Sequence, residues 1–527
     1  MYSPPVTIIA FEEFDNLGVG YLASVLNEAG YEPEVIDFRL GKVKILEILN
    51  NLEPKIVGFS LIFEYHINEF SELIRYLRDG GIRCHFCAGG EYASLRYAEL
   101  FEMIPSLDSI VRFEGEYTFR DLVNCIYSGR AWTSVLSLAY KKENQIVIND
   151  LRPPVSDLDI LPFPMRSPLR EYALNKKFAT ILAGRGCINN CSFCSVREYY
   201  KQSSGPFKRI RKPEKVVEEM ELLYLQKDCS IFLFQDDDFP VKTQQGSNWA
   251  KRFCKELKRK ELSDDILWKI NCRPDEVDLN TFSLLKNNGL FLVFLGIEDG
   301  TDAGLARMNK HLTTSKILEG INILKNLGIG FDYGFMPFQP HSTFDSVREN
   351  FKFLRKICSD GYTGVTILKM MPFCATNVEK ELRREGRLKG EPGFLDYDFL
   401  DPSLNKFYDY ITSSFDDWLL SRDGLLNITK WARNYLSVFS RYYQCTDDLL
   451  VLTDKLKCIM SESNVFLLNT LEDLANFFET GNYNSVNNLY LKNYRRRIKS
   501  KHSEYILRVK NIISNLLVIG ELQRQFQ

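Results

Sequence analysis

The sequence predicts an α/β chain in three parts: a doubly wound parallel sheet, a partial (β/α)6 barrel and a helical C-terminal domain. Three observations predict it. Short β-branched runs alternate with amphipathic stretches from Thr7 to about Cys125, a second such series follows a proline-dense break, and beyond about Pro392 apolar residues recur three and four apart. At 527 residues the chain is too long for a single core, and domains of roughly 100 to 200 residues make about three.

The first series reads VTIIAF, VGYLASVLNEAG, EPEVIDF, VKILEILNNL, IVGFSLIF, INEFSELIRYLRDGG, CHFCAGG and DSIVRFEGE. Strand and helix take turns, so residues 1–140 are expected to form an open parallel sheet wrapped by helices, with ligands beyond the carboxyl ends of its strands. Residues 141–175 lose this periodicity and carry Pro153, Pro154, Pro162, Pro164 and Pro168, the composition of an extended linker. Residues 176–392 resume with FATILAG, SIFLFQ, LWKINC, LVFLGIE, FDYGFMPF and TGVTILKM, separated by helical stretches such as VVEEMELLYLQ and ILEGINILKNLG. Six strands of this kind suit a partial TIM-like barrel whose chemistry sits at the carboxyl mouth of the strands. Residues 393–527 read as helices, and their place after the last barrel strand predicts that they cover that mouth.

Composition narrows the partners. Lys plus Arg number 67 against 69 Asp plus Glu, a formal charge of −2, so no global field favours nucleic acid or an anionic membrane. The start MYSPPVTIIAFEEF lacks a leader pattern and no segment runs to about 18 apolar residues, which predicts a cytoplasmic protein acting on a small molecule or peptide, with no membrane partner. Of the 13 cysteines, ten sit singly, as Cys229, Cys254 and Cys272 do in apolar stretches, and are expected to be small buried hydrophobes.

The other three stand in GRGCINNCSFCSV, where Cys187, Cys191 and Cys194 follow the first barrel strand at C-x3-C-x2-C spacing. Three thiolates on one short loop can grip three irons of a cubane cluster and leave the fourth open; a three-cysteine zinc site or a chance group of core thiols is the alternative. The motif resembles the signature of the radical S-adenosylmethionine (SAM) superfamily. That resemblance implies a [4Fe–4S] cluster on the three cysteines, SAM chelated through its methionine moiety on the open iron, reductive cleavage to a 5′-deoxyadenosyl radical, and an external electron donor such as flavodoxin or ferredoxin.

Phe193, between the last two cysteines, matches the family position that lies against the adenine. The segments QDDDF, Gln235 to Phe239, and GIEDGTDAGLARMNK, Gly296 to Lys310, also resemble family pieces. Glu298 is then the candidate for the nucleoside ribose or methionine amine and Lys310 for the carboxylate, unless each is a capping or surface charge. Asp236 and Asp237 either bond the nucleoside or cap the next helix. Arg273 is a further ligand contact or a surface arginine.

The first domain resembles the Rossmann-like, cobalamin-binding domain that precedes the radical core in one branch of the superfamily, in NLGVGYLASVLNEAGYEPEVIDF, IVGFSLIFEYHINEF, CAGGEYAS and RFEGEYTFRDLV. Candidate cofactor contacts at the strand ends are Gly18, Ser60, Gly89, Gly90, Gly115 and Glu116. FEEFDNLG after the first strand has no histidine to ligate cobalt, so the resemblance points to Phe63, Glu64 and Tyr65 under the corrin, with His66 close by or a plain polar residue. The activity implied is methylation of an unactivated carbon: SAM methylates the cobalamin, and the 5′-deoxyadenosyl radical opens the substrate to that methyl group. A radical oxidoreductase, epimerase, cyclase or rearrangement enzyme, with cobalamin absent or not a methyl donor, is the alternative, and a non-catalytic iron–sulfur or corrin carrier is a third reading.

Overall fold

The computed structural model describes residues 5–12, 15–62, 64–143, 145–241, 248–443, 446–481 and 488–525. The chain divides into two compact units: Met1–Leu169 with Thr180–Glu219 and Met371–Asp396, and Arg170–Ala179 with Met220–Met370 and Tyr397–Gln527.

The first unit is built on a seven-stranded sheet of β1 (Val6–Ala10), β2 (Pro33–Asp37), β3 (Ile56–Ser60), β4 (His85–Gly89), β5 (Ser109–Val111), β6 (Leu138–Lys142) and β7 (Gln145–Ile148), in the order β2-β1-β3-β4-β5-β6-β7. The first five pair parallel. β1 is buried along its whole length, as a strand covered on both faces must be. The covering helices are α1 (Leu17–Glu28), α2 (Lys42–Leu52), α3 (Ile67–Asp79), α4 (Glu91–Leu95), α5 (Tyr97–Met103) and α6 (Glu116–Tyr127). In α3 the buried Ile67, Phe70, Leu73, Ile74 and Leu77 make one apolar stripe at helical spacing, packed with Val57, Phe59 and Phe86. β6 and β7 extend the sheet antiparallel, and β7 lies inside the stretch read as linker. The alternation in QIVI is short and half-exposed, which leaves little periodic signal.

The second sheet takes β8 (Arg170–Ala173) and β9 (Lys176–Ile181); β9 is followed by the short ribbon of β10 (Gly184–Gly186) and β11 (Lys208–Ile210), with α7 (Ser195–Gln202) between them and α8 (Pro213–Lys227) after. The sheet goes on with β12 (Cys229–Phe234), α9 (Trp249–Arg259), β13 (Leu267–Cys272), α10 (Leu279–Lys286), β14 (Leu290–Glu298), α11 (Asp302–Arg307), α12 (Thr314–Asn326), β15 (Gly330–Phe335) and α13 (Phe344–Cys358). Its order is β15-β14-β13-β12-β9-β8, a curled half-barrel in which β12 to β15 pair parallel. The sixth expected strand, TGVTILKM, is reduced to one parallel bridge, Phe338 to Lys369, with Leu368 N–H donating to Phe335 O at 3.0 Å. Pro337 and Pro340 opposite it have no N–H to complete a ladder. Cys229, Cys254 and Cys272 are buried as expected.

Alternate positions of β13 to β15 decide the two faces. Trp268, Ile270 and Cys272 are buried, whereas Lys269, Asn271, Phe294, Gly296, Glu298, Asp332 and Gly334 lie on the more open face. After α14 (Asn377–Arg384) come the long helices α15 (Pro402–Leu419), α16 (Leu425–Tyr442), α17 (Asp447–Glu479) and α18 (Asn488–Gln525). They do not simply cover the mouth. Arg433 of α16 donates to Phe331 O and Asp332 Oδ1, each at 2.9 Å, and Tyr442 Oη donates to Ser230 O and Asp265 O, each at 3.0 Å. These partners stand at the amino ends of β15, β12 and β13, so α16 closes the opposite end of the half-barrel. At the carboxyl end, among the described residues, the segment before α15 and the last turn of α17 both take part: Tyr397 Oη donates to Phe338 O at 3.0 Å, and Arg348 near the start of α13 pairs with Glu479. The expectation that the C-terminal domain covers the mouth is corrected for α16, which closes the other end.

Candidate functional site

In the first unit, β10 and β11 form a ribbon that frames the cysteine loop, with Arg185 opposite Arg209. Gly186 has φ +83°, and a Cβ there would overlap the Phe207 carbonyl oxygen, so only glycine lets the chain turn into Cys187. Cys187, Cys191 and Cys194 are half-buried thiols without disulfides, and Cys194 is the residue on which α7 begins. Asn189 donates to Cys187 Sγ from its backbone N–H at 3.5 Å and its side-chain amide at 3.2 Å, bonds of the kind that stabilise sulfur carrying negative charge. Phe193 is half-buried in the same loop. Val378 N–H donates to Ser192 O at 3.3 Å, tying α14 to the loop. Three accessible thiols on a braced loop, with N–H donors already aimed at one sulfur, fit a three-cysteine iron–sulfur site.

The ribbon is locked to the loop after β5. Arg185 donates to Glu114 at 3.2 Å and Glu116 at 2.6 Å, and Arg209 donates to Glu114 Oε2 at 3.0 Å. Burial would raise the Glu114 carboxyl, but Arg209 and Arg185 outweigh it and hold it below the usual carboxylate range. Glu116, expected to meet a cofactor, has its carboxylate committed to Arg185. Gly115 beside it is the residue from which α6 starts.

A second feature of this unit lies where the strand order reverses, between β1 and β3. There a pocket is lined by Phe11, Asn16, Ser60, Ile62, His66 and Phe70, the crevice where open α/β sheets take ligands. Ser60 is the expected contact on its wall, paired in register with Gly89. The imidazole of His66 stacks on Phe11 at 4.3 Å, with Nδ1 2.6 Å from Glu69 Oε2. Gly90 has φ 118° and ψ −178°, and a Cβ on it would overlap the Leu61 carbonyl oxygen. Gly18 is exposed on the first turn of α1.

Glu64 is buried, with one carboxylate oxygen accepting Cys374 N–H at 3.2 Å, and burial pushes its carboxyl up. Tyr65 is exposed and its ring lies 4.5 Å from His66. Phe63 lies outside the described residues. The sequence reading passed over Phe11, Asn16, Ile62 and Phe70 and left His66 open; the position of each directly after a strand, or on the facing helix end, was the signal to use.

The second unit gathers three expected residues at the carboxyl ends of its strands. Glu298 ends β14 in the left-handed region, φ 70°, at a register shift against β15. Its Oε1 accepts Lys310 Nζ at 3.0 Å, and Lys310 O accepts Arg273 Nη2 at 3.0 Å. Gly296 and Gly334 leave room for this pair, since a Cβ on either would stand 2.9 Å from a Glu298 carboxylate oxygen. Lys310 is buried, and Arg273 is no surface arginine: it is largely buried and also bonded to Asp275 at 3.0 Å. Asp236 is buried, with its backbone carbonyl accepting Asn271 Nδ2 at 3.0 Å, whereas Asp237 is exposed and Asp238 is the second buried carboxylate. Lys269, unnoticed in the sequence, lies on the open face with Nζ 2.5 Å from Asn271 Oδ1; burial lowers its pKa to about 8 against the pull of Asp332 and Asp236.

Comparison with known proteins agrees with both units. Residues 6–123 match the B12 binding domain and residues 181–354 the radical SAM superfamily. The chain is 28% identical over 351 residues to the anaerobic magnesium-protoporphyrin IX monomethyl ester cyclase of Rubrivivax gelatinosus, covering 64% of this chain but only 61% of that protein. It is 25% identical over 383 residues to the hopanoid C-3 methylase of Methylococcus capsulatus, 71% of this chain and 70% of that one. The solved structure of the cobalamin-dependent S-adenosylmethionine radical enzyme OxsB with aqua-cobalamin bound superposes with a TM-score of 0.66 over 95% of this chain and 84% of that one; at 18% identity this shows a shared fold. No helix among the described residues is long and apolar enough to cross a membrane. The two domains bring with them a [4Fe–4S] cluster, SAM and cobalamin as cofactors. The chain belongs to the radical S-adenosylmethionine enzymes that carry an N-terminal cobalamin-binding domain.

Proposed function

We propose that the chain is a cobalamin-dependent radical SAM C-methyltransferase that methylates an unactivated carbon of a small-molecule or peptide natural product. It would work in the cytoplasm with electrons from a flavodoxin- or ferredoxin-like donor. The observation that supports this most directly is that the cysteine loop and the switch-point pocket of the cobalamin-type domain belong to one compact unit, braced by buried ion pairs. The hopanoid methylase similarity agrees with it.

In this reading the cobalamin-binding domain runs past residue 140 to β7, the linker shortens to the proline-dense stretch before β8, the radical core runs to 392 and 393–527 complete it. Cys187, Cys191 and Cys194 hold the cluster, and Asn189 stabilises sulfur charge at Cys187. When bound, the cluster supplies the electron that cleaves SAM, and cobalamin supplies the methyl group. Lys310 and Glu298 carry opposite charges on one buried spot, matched to the carboxylate and amine of an amino-acid moiety, with Arg273 fixing the Lys310 backbone. Gly89 allows a flat ring to approach the backbone, Gly90 lets the chain turn closely against Leu61, and the apolar pocket walls exclude water from one side of the ring. No protein nucleophile is required.

The similarity to a cyclase favours a second reading, in which the same radical step ends in ring closure or another rearrangement without methyl transfer. Anaerobic reconstitution with iron, sulfide and hydroxocobalamin, followed by turnover with methyl-deuterated SAM and candidate substrates, separates them. Four irons, a retained corrin and deuterium in the product support the methyltransferase. 5′-Deoxyadenosine with an unlabelled, altered product supports the second reading.

A further inference from the structure

We propose that Glu114 and Glu116 are positioning residues for the cysteine loop, which with Arg185 and Arg209 form a charge-balanced clamp that sets the electron affinity of the cluster. The inference rests on the reading that Cys187, Cys191 and Cys194 hold that cluster. Arg185 and Arg209 face each other across the β10–β11 ribbon, one guanidinium beside another, an arrangement that repels unless anions intervene. Glu114 bridges the two, and Glu116 takes the second fork of Arg185. All four side chains are 13% exposed or less, so water screens them poorly. The Arg185 guanidinium also lies 5.0 Å from the Tyr21 ring, which fixes its direction from the α1 side.

The balance is two positive charges against two negative, and Arg185 stands two residues before Cys187. With one carboxylate neutralised, the clamp carries a net positive charge, which favours adding an electron to a nearby cluster. With one arginine neutralised, it carries a net negative charge, which opposes it. A merely structural clamp would loosen in both cases and have no reason to move the potential in opposite directions. The clamp also explains why the FEGE segment lies at the end of β5: it reads the cysteine ribbon through its carboxylates instead of touching a corrin.

The test uses the full chain reconstituted with iron, sulfide and hydroxocobalamin, with EPR-monitored redox titration of the cluster and corrin absorption after desalting. Glu116→Gln is expected to shift the cluster midpoint to more positive potential and Arg209→Gln to more negative potential, both retaining four irons and the parental corrin content. Should Glu116→Gln fail to fold, Glu114→Gln takes its place with the same expected sign. Unchanged midpoints, or shifts of the same sign, overturn the inference. Loss of corrin from Glu116→Gln at a parental midpoint also overturns it and returns Glu116 to the cofactor. A parent chain that holds no cluster, or a Cys191→Ala variant that still does, defeats instead the cysteine assignment beneath it.

Discussion

The two glycines most exposed to test are Gly90 and Gly18, because the structure assigns them opposite behaviour on gaining one methyl group. Gly90 sits at φ 118° and ψ −178°, a region that is essentially glycine's alone and costs another residue about 1–3 kcal/mol. Its added Cβ would also overlap the Leu61 carbonyl oxygen, a backbone atom that no rotamer change can move aside. The two effects together put Gly90→Ala at 2 kcal/mol or more of destabilisation, about 1 M or more in the urea midpoint of the apoprotein at a slope of ~2 kcal/mol/M.

Gly18 has an ordinary helical conformation, and its Cβ would meet only Asn16 Oδ1 at 3.6 Å. Gly18→Ala therefore gains about 0.4–1 kcal/mol by reducing the freedom of the unfolded chain. If Gly18 also touches cobalamin, that same variant retains less corrin after desalting while unfolding later, a combination that damage to the fold cannot produce. An unchanged midpoint for Gly90→Ala would refute the strain argument. A stabilised Gly18→Ala with full corrin retention would remove Gly18 from the cofactor site.

Three further outcomes are expected. Cys191→Ala, in a half-buried loop outside the sheets, should lose the iron while keeping the parental circular dichroism, which iron analysis checks directly. Lys269 has its pKa lowered to about 8 by burial, so the folded state resists its charge: stability from this residue is lost below about pH 8 and recovered between about 8 and 10.5. Lys269→Met should then stabilise the apoprotein by up to about 3 kcal/mol at pH 7 and by little above pH 10, read from urea midpoints at the two pH values. Arg433→Met leaves Asp332 buried without its main partner and should cost about 3–5 kcal/mol, most of it restored in the double variant with Asp332→Asn. Equal midpoints for the single and double variants would count against that pairing.

Most strands were legible because a buried parallel strand needs little beyond a short apolar run, as in β1, β3, β12 and β14, while β13 and β15 show instead the alternation of a strand with one open face. The cysteine loop was legible for a different reason, since its chemistry is carried by spacing within eight residues. What stayed hidden depends on partners far away in sequence. Glu116 and Arg185 are 69 positions apart, and nothing local to RFEGE shows that its carboxylate meets this arginine. In QDDDF the in-and-out alternation runs on past the end of β12 at Phe234, so Asp236 and Asp238 turn inward and Asp237 out, a phase that three identical residues do not display in the sequence.

The C-terminal helices show the same limit at larger scale. Their periodicity announced helices, but which end of the half-barrel they close is set by Arg433 finding Asp332 and by Tyr442 finding the backbone of Ser230 and Asp265. Those contacts have a functional consequence. With α16 filling the amino end, the C-terminal residues near the carboxyl end of the strands are those around Tyr397 and α15 and at the end of α17, so changes in substrate choice should concentrate there and changes in stability along α16.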